Sequence, residues 1–206
     1  MRLYLDTCIA NDLFVINQAL NGERLGRRDV KFPIVKWVTE YVALYYLLDL
    51  DEQWQLEFGT SQVMKGEIHR IRAISSPPVH KKSVLLDICD LLLEKAQLTE
   101  HTRAPAELRD EVSRTIPHQR DVDHVCSAIM GKWDYLITTD FEGILGHRGS
   151  LQLLGIAAAS PREFIERHFI PLETLVRTLH GSWTTLQTVV ESLAVAIQSS
   201  LEREDD

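Results

Sequence analysis

Four acidic residues are spaced so that an α/β fold could bring their carboxylates together: Asp6, Glu67, Asp123 and Asp140. Carboxylates that converge without basic partners repel one another, so each needs either a raised pKa or a cation beside it. Hard oxygen ligands of this kind suit Mg²⁺ and Mn²⁺, which also bind the phosphate groups of substrates. One or two such ions could polarise a phosphodiester and lower the pKa of a water molecule. The set therefore predicts metal-dependent hydrolysis of a phosphodiester.

Two of these acids follow short apolar runs. Residues 3–5 and 135–138 are too few for helices and predict buried parallel strands, and Asp6 and Asp140 stand just beyond their carboxyl ends. Parallel strands share that edge of the sheet, which is where ligands bind in open α/β sheets. Each acid taken singly is also explained as a helix cap, a turn former or a surface charge. The joint pattern favours one acidic site.

A predicted helix leads into the second strand and supplies another acid. It ends at Gly131, and its apolar residues recur at helical spacing at Val125, Ala128 and Ile129. Asp121 and Asp123 both stand where a helix amino terminus favours an acid. They cannot both be the main ligand on one helix start. The spacing to the apolar face favours Asp123, with Asp121 as a cap or an outer carboxylate.

Glu67 lies on a further predicted helix, over residues 61–74, that Thr60 or Ser61 can cap. Its apolar neighbours on a helix packed against the sheet could direct it to the acidic site, although a single helical glutamate usually faces solvent. His69 and His124 stand near the acids in sequence. We interpret both as packing or solvent-facing histidines rather than ligands.

The remaining apolar patterns predict an α/β fold with a helical insertion and a helical extension. Helices are predicted over residues 9–20, 33–50, 84–96 and 106–115, from Pro161, and in two segments after residue 172 broken at Gly181; strands are predicted over 54–58 and 151–156. The insertion covers about residues 76–117 and contains a loop over 99–105. We expect one domain over 1–169 and an extension over 170–206, which packs on its own domain or forms a homodimer or partner interface.

Composition limits the class of protein. The 206 residues include 22 basic and 30 acidic side chains, a formal charge of −8, which argues against a broad basic surface for nucleic acid. No run approaches the roughly 18 apolar residues of a membrane span, and the amino terminus enters a strand pattern without a signal-peptide core. We expect a soluble, cytoplasmic protein without a membrane partner. The three cysteines are far apart, which indicates neither a disulfide framework nor a thiolate zinc site.

The loop over residues 22–31 carries a group of basic residues, Arg24, Arg27, Arg28 and Lys31. The loop is either a solvated connection or a phosphate-contacting rim of the site. Patterns of other chemistries do not occur in the sequence: no glycine-rich phosphate loop follows a strand, and there is no G-x-S-x-G or H-E-x-x-H motif.

Four segments, in order, resemble those of the PIN-domain ribonucleases: LYLDTCIANDLF, TSQVMKGEI, DVDHVCSAIMGKWDYLITTD and GIAAASPREFIE. The resemblance covers most of residues 1–169, and the ordered set is more specific than any one motif. It implies a three-layer α/β/α fold with a central parallel sheet. It also implies a Mg²⁺- or Mn²⁺-dependent endoribonuclease acting on RNA, as in many bacterial toxin–antitoxin pairs, with an antitoxin-like protein as partner.

The resemblance also assigns roles to individual residues. Asp6 matches the first acid of the family, Glu67 the second, Asp123 the third with Asp121 as its rival, and Asp140 the fourth. Three further residues match positions around these acids: Thr138 as a hydroxyl that orients the last acid, Thr7 after the first acid, and Glu142 as an additional outer carboxylate.

Two alternatives belong to other functional classes. A PIN-fold module that has lost catalysis would bind RNA or protein without cleaving it, and the complete set of acids argues against this alternative. A phosphatase of the haloacid-dehalogenase type would also place an aspartate after the first strand. That family needs a second aspartate two residues later, where this sequence has Cys8, so we rank it last.

Overall fold

The computed structural model describes residues 1–27, 30–64, 66–67, 96–99, 104–181 and 184–202. The chain divides into two units: Met1–Ala10 with Asp51–Ser160, and Asn11–Leu50 with Pro161–Asp206. The predicted domain over 1–169 and extension over 170–206 stay a prediction. Within the second unit, the helices near the carboxyl terminus group with residues 11–50.

The first unit is built on a five-stranded parallel sheet. Its strands are β1 (Arg2–Leu5), β2 (Glu57–Ser61), β3 (Ala96–Thr99), β4 (Tyr135–Ile137) and β5 (Ala157–Ala159). Their order is β3-β2-β1-β4-β5, and each neighbouring pair is parallel. The predicted α/β class with a parallel sheet is confirmed. Because β1 and β4 are neighbours, the residues that follow them meet at one edge.

Helices make up most of the remaining structure. They are α1 (Thr7–Leu20), α2 (Ile34–Asp49), α3 (Asp51–Trp54), α4 (Ala106–Thr115), α5 (Gln119–Met130), α6 (Arg148–Leu153), α7 (Pro161–His168), α8 (Leu172–His180) and α9 (Leu186–Glu202). Residues 62–64 and 66–67 are also helical, and Leu145–His147 forms a 3₁₀ turn. The predicted helices over 9–20, 33–50 and 106–115, the helix from Pro161 and the pair broken at Gly181 are confirmed.

Three predicted elements are wrong. Residues 151–156 lie partly in helix α6, and the strand that follows is Ala157–Ala159, because a short run of leucines fits a helix as well as a strand. Trp54 lies in helix α3 instead of a strand. Ala96–Thr99 is an edge strand instead of the end of a helix, so the insertion over 76–117 is not purely helical; residues 76–95 and 100–103 lie outside the described residues.

Helix α5 packs an apolar face against the sheet. Val122 and Val125 are buried in one cluster with Tyr4 of β1, and a fully buried side chain of this size contributes about 1.5–3 kcal/mol. Trp133, after the helix, lies against Gly59 of β2, where an added Cβ would collide with the indole ring. Glycine at position 59 therefore lets the indole pack on the sheet. This packing fixes the helix that carries Asp121 and Asp123.

The second unit is helical. Glu40 of α2 is buried and accepts a hydrogen bond from the backbone nitrogen of Arg162 at 2.9 Å, at the start of α7. Oε2 of Glu173 accepts one from the backbone nitrogen of Leu186 at 2.8 Å, at the start of α9. These carboxylates satisfy free N–H groups at helix amino termini. Helix α9 packs on α2 and α8, so the end of the chain packs on its own unit.

In the described residues, we find no helix with both the length and the apolar character needed to cross a membrane.

Candidate active site

Asp6 lies directly after β1 and is buried. Its Oδ2 accepts hydrogen bonds from Oγ1 of Thr138 at 2.7 Å and from Sγ of Cys8 at 3.0 Å. Its backbone nitrogen donates to the carbonyl oxygen of Ile137 at 3.2 Å, which continues the pairing of β1 with β4. Asp6 therefore has a fixed position at the carboxyl edge of the sheet, as the sequence predicted.

Asp140 follows β4 at the same edge. Its Oδ1 accepts from the backbone nitrogen of Gly143 at 2.9 Å and its Oδ2 from that of Ile144 at 3.3 Å. Its own backbone nitrogen donates to Oγ1 of Thr138 at 3.0 Å. Thr138 thus connects the first and last acids, because the same hydroxyl donates to Asp6. The carboxylate of Asp140 stabilises a turn and also lies at the site. Its interpretation as a turn former and its interpretation as a site acid are therefore compatible.

Asp121 meets Asp140 beside a glycine. A Cβ on Gly143 would collide with Oδ2 of Asp140 and lie 3.0 Å from Oδ2 of Asp121. Burial, together with the charges of Asp140 and Asp6, raises the pKa of Asp121 to about 6. No residue in the described part of the chain donates a hydrogen bond to this carboxylate. The negative charge of Asp121 is therefore not stabilised by hydrogen bonds from the described residues.

Asp123 does not lie with these acids. Its Oδ1 forms an ion pair with Nη1 of Arg109 on helix α4. Helix α5 begins at Gln119 with His118 as its N-cap, so neither Asp121 nor Asp123 is the cap that the sequence suggested. Asp121 does lie in the first turn, where an acid is favoured. The structure places Asp121 next to Asp140 and turns Asp123 to another face of the helix, so the geometry favours Asp121, the rival of Asp123 in the sequence-based prediction.

Glu67 reaches the site through a histidine. Nε2 of His124 lies 3.2 Å from Oε2 of Glu67 and 3.5 Å from Oδ1 of Asp6, and it lies 2.9 Å from Oγ1 of Thr7. Burial alone would raise the pKa of Glu67, but hydrogen bonds with His124 and Thr7 lower it overall. Burial alone would lower the pKa of His124, but the charge of Asp6 and the contact with Glu67 raise it.

Sequence reasoning missed two residues of this site. His124 was interpreted as a packing or solvent-facing histidine, yet it is buried and contacts two of the acids. Its position three residues after Asp121, on the same helical face, was the available signal. Gly143 gave no usable signal, because its importance depends on how the turn after β4 packs against α5.

The basic residues predicted for the rim of the site, and the predicted outer acid Glu142, are not among the contacts described above. Arg24 and Arg27 are exposed in the second unit, and Arg28 lies outside the described residues. Nζ of Lys31 is bound by Asp12, with N–O distances of 2.8 and 2.9 Å, so this lysine forms a structural ion pair. Among the outer acids, Glu142 is exposed on the turn after Asp140.

A divalent cation at this edge of the sheet would meet mainly carboxylate oxygens. Within the ranges that the structure describes, no group of three or more His, Cys, Asp or Glu side chains is arranged to hold a metal ion. Carboxylate oxygens are nevertheless the donors that Mg²⁺ prefers, and Mg²⁺ is usually bound by one or two carboxylates together with water and substrate phosphate. The meeting of Asp121 and Asp140 at Gly143, with Asp6 acting on the pKa of Asp121, fits such a partial protein ligand set.

No protein-family model, no curated protein and no solved structure matches this chain. Membership of the PIN-domain family therefore stays a prediction that depends on the sequence motifs and on the site geometry.

Proposed function

We propose that this chain is a Mg²⁺- or Mn²⁺-dependent endoribonuclease with a PIN-like, three-layer α/β/α fold. The proposal is carried by the pair of carboxylates at Gly143, where the pKa of Asp121 is raised to about 6 by burial and by the charges of Asp140 and Asp6. The ordered PIN-like motifs support the same function. A site that concentrates negative charge at the carboxyl edge of a parallel sheet is suited to a cation and a phosphate ligand.

The residues have distinct tasks in this function. Asp6, Asp121 and Asp140 would hold the cation, with Glu67 beside them. A bound Mg²⁺ or Mn²⁺ supplies polarisation of the phosphodiester and a lowered pKa for water. Thr138 keeps Asp6 and Asp140 in register through its hydroxyl group. Two consecutive backbone amides hold the carboxylate of Asp140 in place.

A basic side chain stands next to the acids at the surface. Nε of Arg120 lies 4.0 Å from Oε1 of Glu67, and the Arg120 side chain is 75% exposed. A guanidinium in this position can bind a phosphate of the RNA strand beside the cleaved bond, since such contacts position the substrate without reading its sequence. The rim expected from Arg24, Arg27 and Arg28 stays a prediction.

The test is cleavage of a single-stranded, end-labelled RNA by purified full-length protein with Mg²⁺, with Mn²⁺ and with EDTA. We expect cleavage with either cation, none with EDTA, and none by the double variant Asp6→Asn/Asp140→Asn. Glu111→Gln removes an exposed carboxylate of helix α4, away from the acids, and serves as the surface control. Cleavage by the double variant at the rate of the control would refute the acid assignment.

One finding favours the alternative of a catalytically silent RNA- or protein-binding module: the described residues contain no ready three-ligand metal group. Calorimetry separates the two functions. A nuclease of the proposed type binds Mn²⁺, and the double variant does not. A silent module retains RNA binding in gel-shift experiments but shows neither Mn²⁺ binding nor cleavage.

The toxin role and the antitoxin-like partner belong to the same proposal. Expression of the wild-type chain is then expected to arrest the growth of a bacterial host, and expression of Asp6→Asn/Asp140→Asn is not. Arrest by both chains would separate toxicity from the acidic site.

A further inference from the structure

His124 is a buried polar residue inside the acidic site. It lies one helical turn after Asp121 and is 1% exposed. Both ring nitrogens have partners: Nε2 faces Glu67, Asp6 and Thr7, and Nδ1 lies 2.9 Å from the hydroxyl oxygen of Tyr4. An unpaired imidazole would be costly to bury, so this set of contacts explains how a histidine is accommodated in the core.

The hydrogen-bond directions follow from the chemistry of the partners. Ionised carboxylates only accept hydrogen bonds, so Nε2 of His124 must carry a hydrogen to bond Oε2 of Glu67 at 3.2 Å. Oδ1 of Asp6, 3.5 Å away, is an ion-pair contact of the same nitrogen. The opposite nitrogen is held by Tyr4, whose hydroxyl group also lies 2.6 Å from Oγ of Ser61. The Oγ of Ser61 in turn accepts a bond from the backbone nitrogen of Val63 at 3.2 Å. The ring is therefore fixed from behind by groups of the sheet and of the helical turn that follows it.

The chain of contacts links the two halves of the site. Tyr4 belongs to β1, which Asp6 follows directly, and Ser61 ends β2, which leads into the helical residues that include Glu67. His124 comes from α5, the helix that also carries Asp121. A single ring thus sits where three elements deliver their acids.

We propose that His124 is a positioning residue: its Nε2–H donates to Glu67 and lies in ion-pair contact with Asp6, which holds both carboxylates in the arrangement that receives the divalent cation. Its orientation depends on Tyr4 at Nδ1. The inference rests on the proposed function, because it concerns the presentation of the same acids to the same cation. It assigns His124 no contact with the substrate.

Two substitutions at position 124 separate positioning from packing. In His124→Gln, the amide nitrogen lies near the former Nε2 and can still donate to the carboxylates. In His124→Asn, the shorter amide replaces only Nδ1, so it can reach Tyr4 but leaves Glu67 without its donor and Asp6 without its ion-pair contact. Both variants remove the aromatic ring, so a loss due only to packing affects both.

The experiment measures Mn²⁺ binding to the full-length chain by calorimetry, together with urea unfolding of each variant. We expect the Kd of His124→Asn for Mn²⁺ to rise about 10-fold or more, since removal of a group that orients metal ligands typically has this effect. His124→Gln is expected to stay close to wild type. Equal affinities of the two variants, whether weakened or unchanged, would overturn the proposal, as would a wild-type chain that binds no Mn²⁺.

A third variant covers the case in which His124→Asn does not fold. Tyr4→Phe keeps the buried ring and removes only the hydroxyl group that holds Nδ1. We expect weaker Mn²⁺ binding in a folded protein, and an unchanged Kd would contradict the proposed orientation of His124 by Tyr4. The proposed function is judged separately by RNA cleavage. Mn²⁺ binding with the Asn–Gln difference, but without cleavage by wild type, would refute the nuclease and keep the positioning role.

Discussion

Asp121 and Asp123 lie on the same helix and serve different faces of it. Two residues along an α-helix are separated by about 200° around its axis. The carboxylate of Asp121 meets Asp140 at Gly143, whereas that of Asp123 pairs with Arg109 of the neighbouring helix. Asp121 therefore lies next to other acids, and burial together with their charges raises its pKa. The charge of Asp123 is neutralised by the guanidinium group of Arg109. Only the first has the electrostatic setting of a cation ligand.

The first prediction concerns this pair of acids. Asp121→Asn removes a carboxylate that faces Asp140, so we expect RNA cleavage to fall by about 100-fold, the upper range for groups that support a metal site. Asp123→Asn leaves these acids in place and should retain most of the activity. The measurement is the initial rate of cleavage with Mn²⁺. The opposite order of the two variants would restore Asp123 as the ligand and refute the assignment of Asp121.

The second prediction concerns Gly143, which has no Cβ to displace the neighbouring carboxylates. Gly143→Ala introduces a Cβ that collides with Oδ2 of Asp140 and approaches Oδ2 of Asp121. We expect Mn²⁺ binding to weaken about 10-fold, because the acids must move apart. Gly149→Ala is the matched control, since no atom lies within 4 Å of its Cβ. That control lies in helix α6 and should gain about 0.5–1 kcal/mol of stability. Equal Mn²⁺ affinities in both variants would contradict a site at Gly143.

The first strand and the first helix follow from sequence patterns that are compatible with only one kind of secondary structure. The apolar run before Asp6 is too short for a helix and forms β1. Residues 9–20, in which apolar side chains recur at helical spacing, form most of helix α1. Strand β5, by contrast, consists of Ala157–Ala159, which have little strand preference, and its position depends on pairing with β4. The edge strand β3 likewise depends on pairing with β2, which the local sequence does not reveal.

The positions of the acids that follow strands were predictable from the sequence. The position of the acid at the start of helix α5 was not. Asp6 and Asp140 lie at the carboxyl edge because parallel strands meet there. The choice between Asp121 and Asp123 required the helix start at Gln119 and the position of Arg109, which are tertiary facts. A change of two residues on a helix reverses the face, so a small uncertainty in helix rotation changes the predicted ligand.

The third prediction is a gain of stability on loss of Asp121. The pKa of this carboxyl in the folded chain is about 6, above its usual 3.8, so its favourable contribution to folding is complete below 3.8 and lost as the pH rises through 6. Asp121→Asn carries no charge at any pH. We expect its free energy of unfolding at pH 7 to exceed that of wild type by about 1 kcal/mol, after allowance for solvent screening.

Urea unfolding in EDTA checks this gain, and two further results test its cause. The difference between wild type and Asp121→Asn should shrink below pH 4, where the wild-type carboxyl is protonated. Asp123→Asn should change stability in the other direction, by at most about 1 kcal/mol, because it breaks a partly exposed ion pair. A loss of stability in Asp121→Asn at pH 7 would show that the acids at Gly143 do not repel one another.

The last prediction is a dependence of stability on the protonation of His124. Burial opposes the charged form of the ring, but the charge of Asp6 and the contact with Glu67 raise its pKa above the usual 6.5. A histidine with a raised pKa in the folded state stabilises the fold fully below 6.5, and this contribution is lost as the pH rises through the folded value. In EDTA, the free energy of unfolding of wild type should therefore fall as the pH increases from 6.5. In His124→Gln this fall should be smaller, because only the end of the Asp121 titration, with its pKa of about 6, remains. His168→Gln should keep the fall, because burial lowers the pKa of His168, so its contribution to stability changes with pH in the opposite direction. An identical alkaline slope in wild type and His124→Gln would mean that the ring gains no net charge stabilisation from the acids around it.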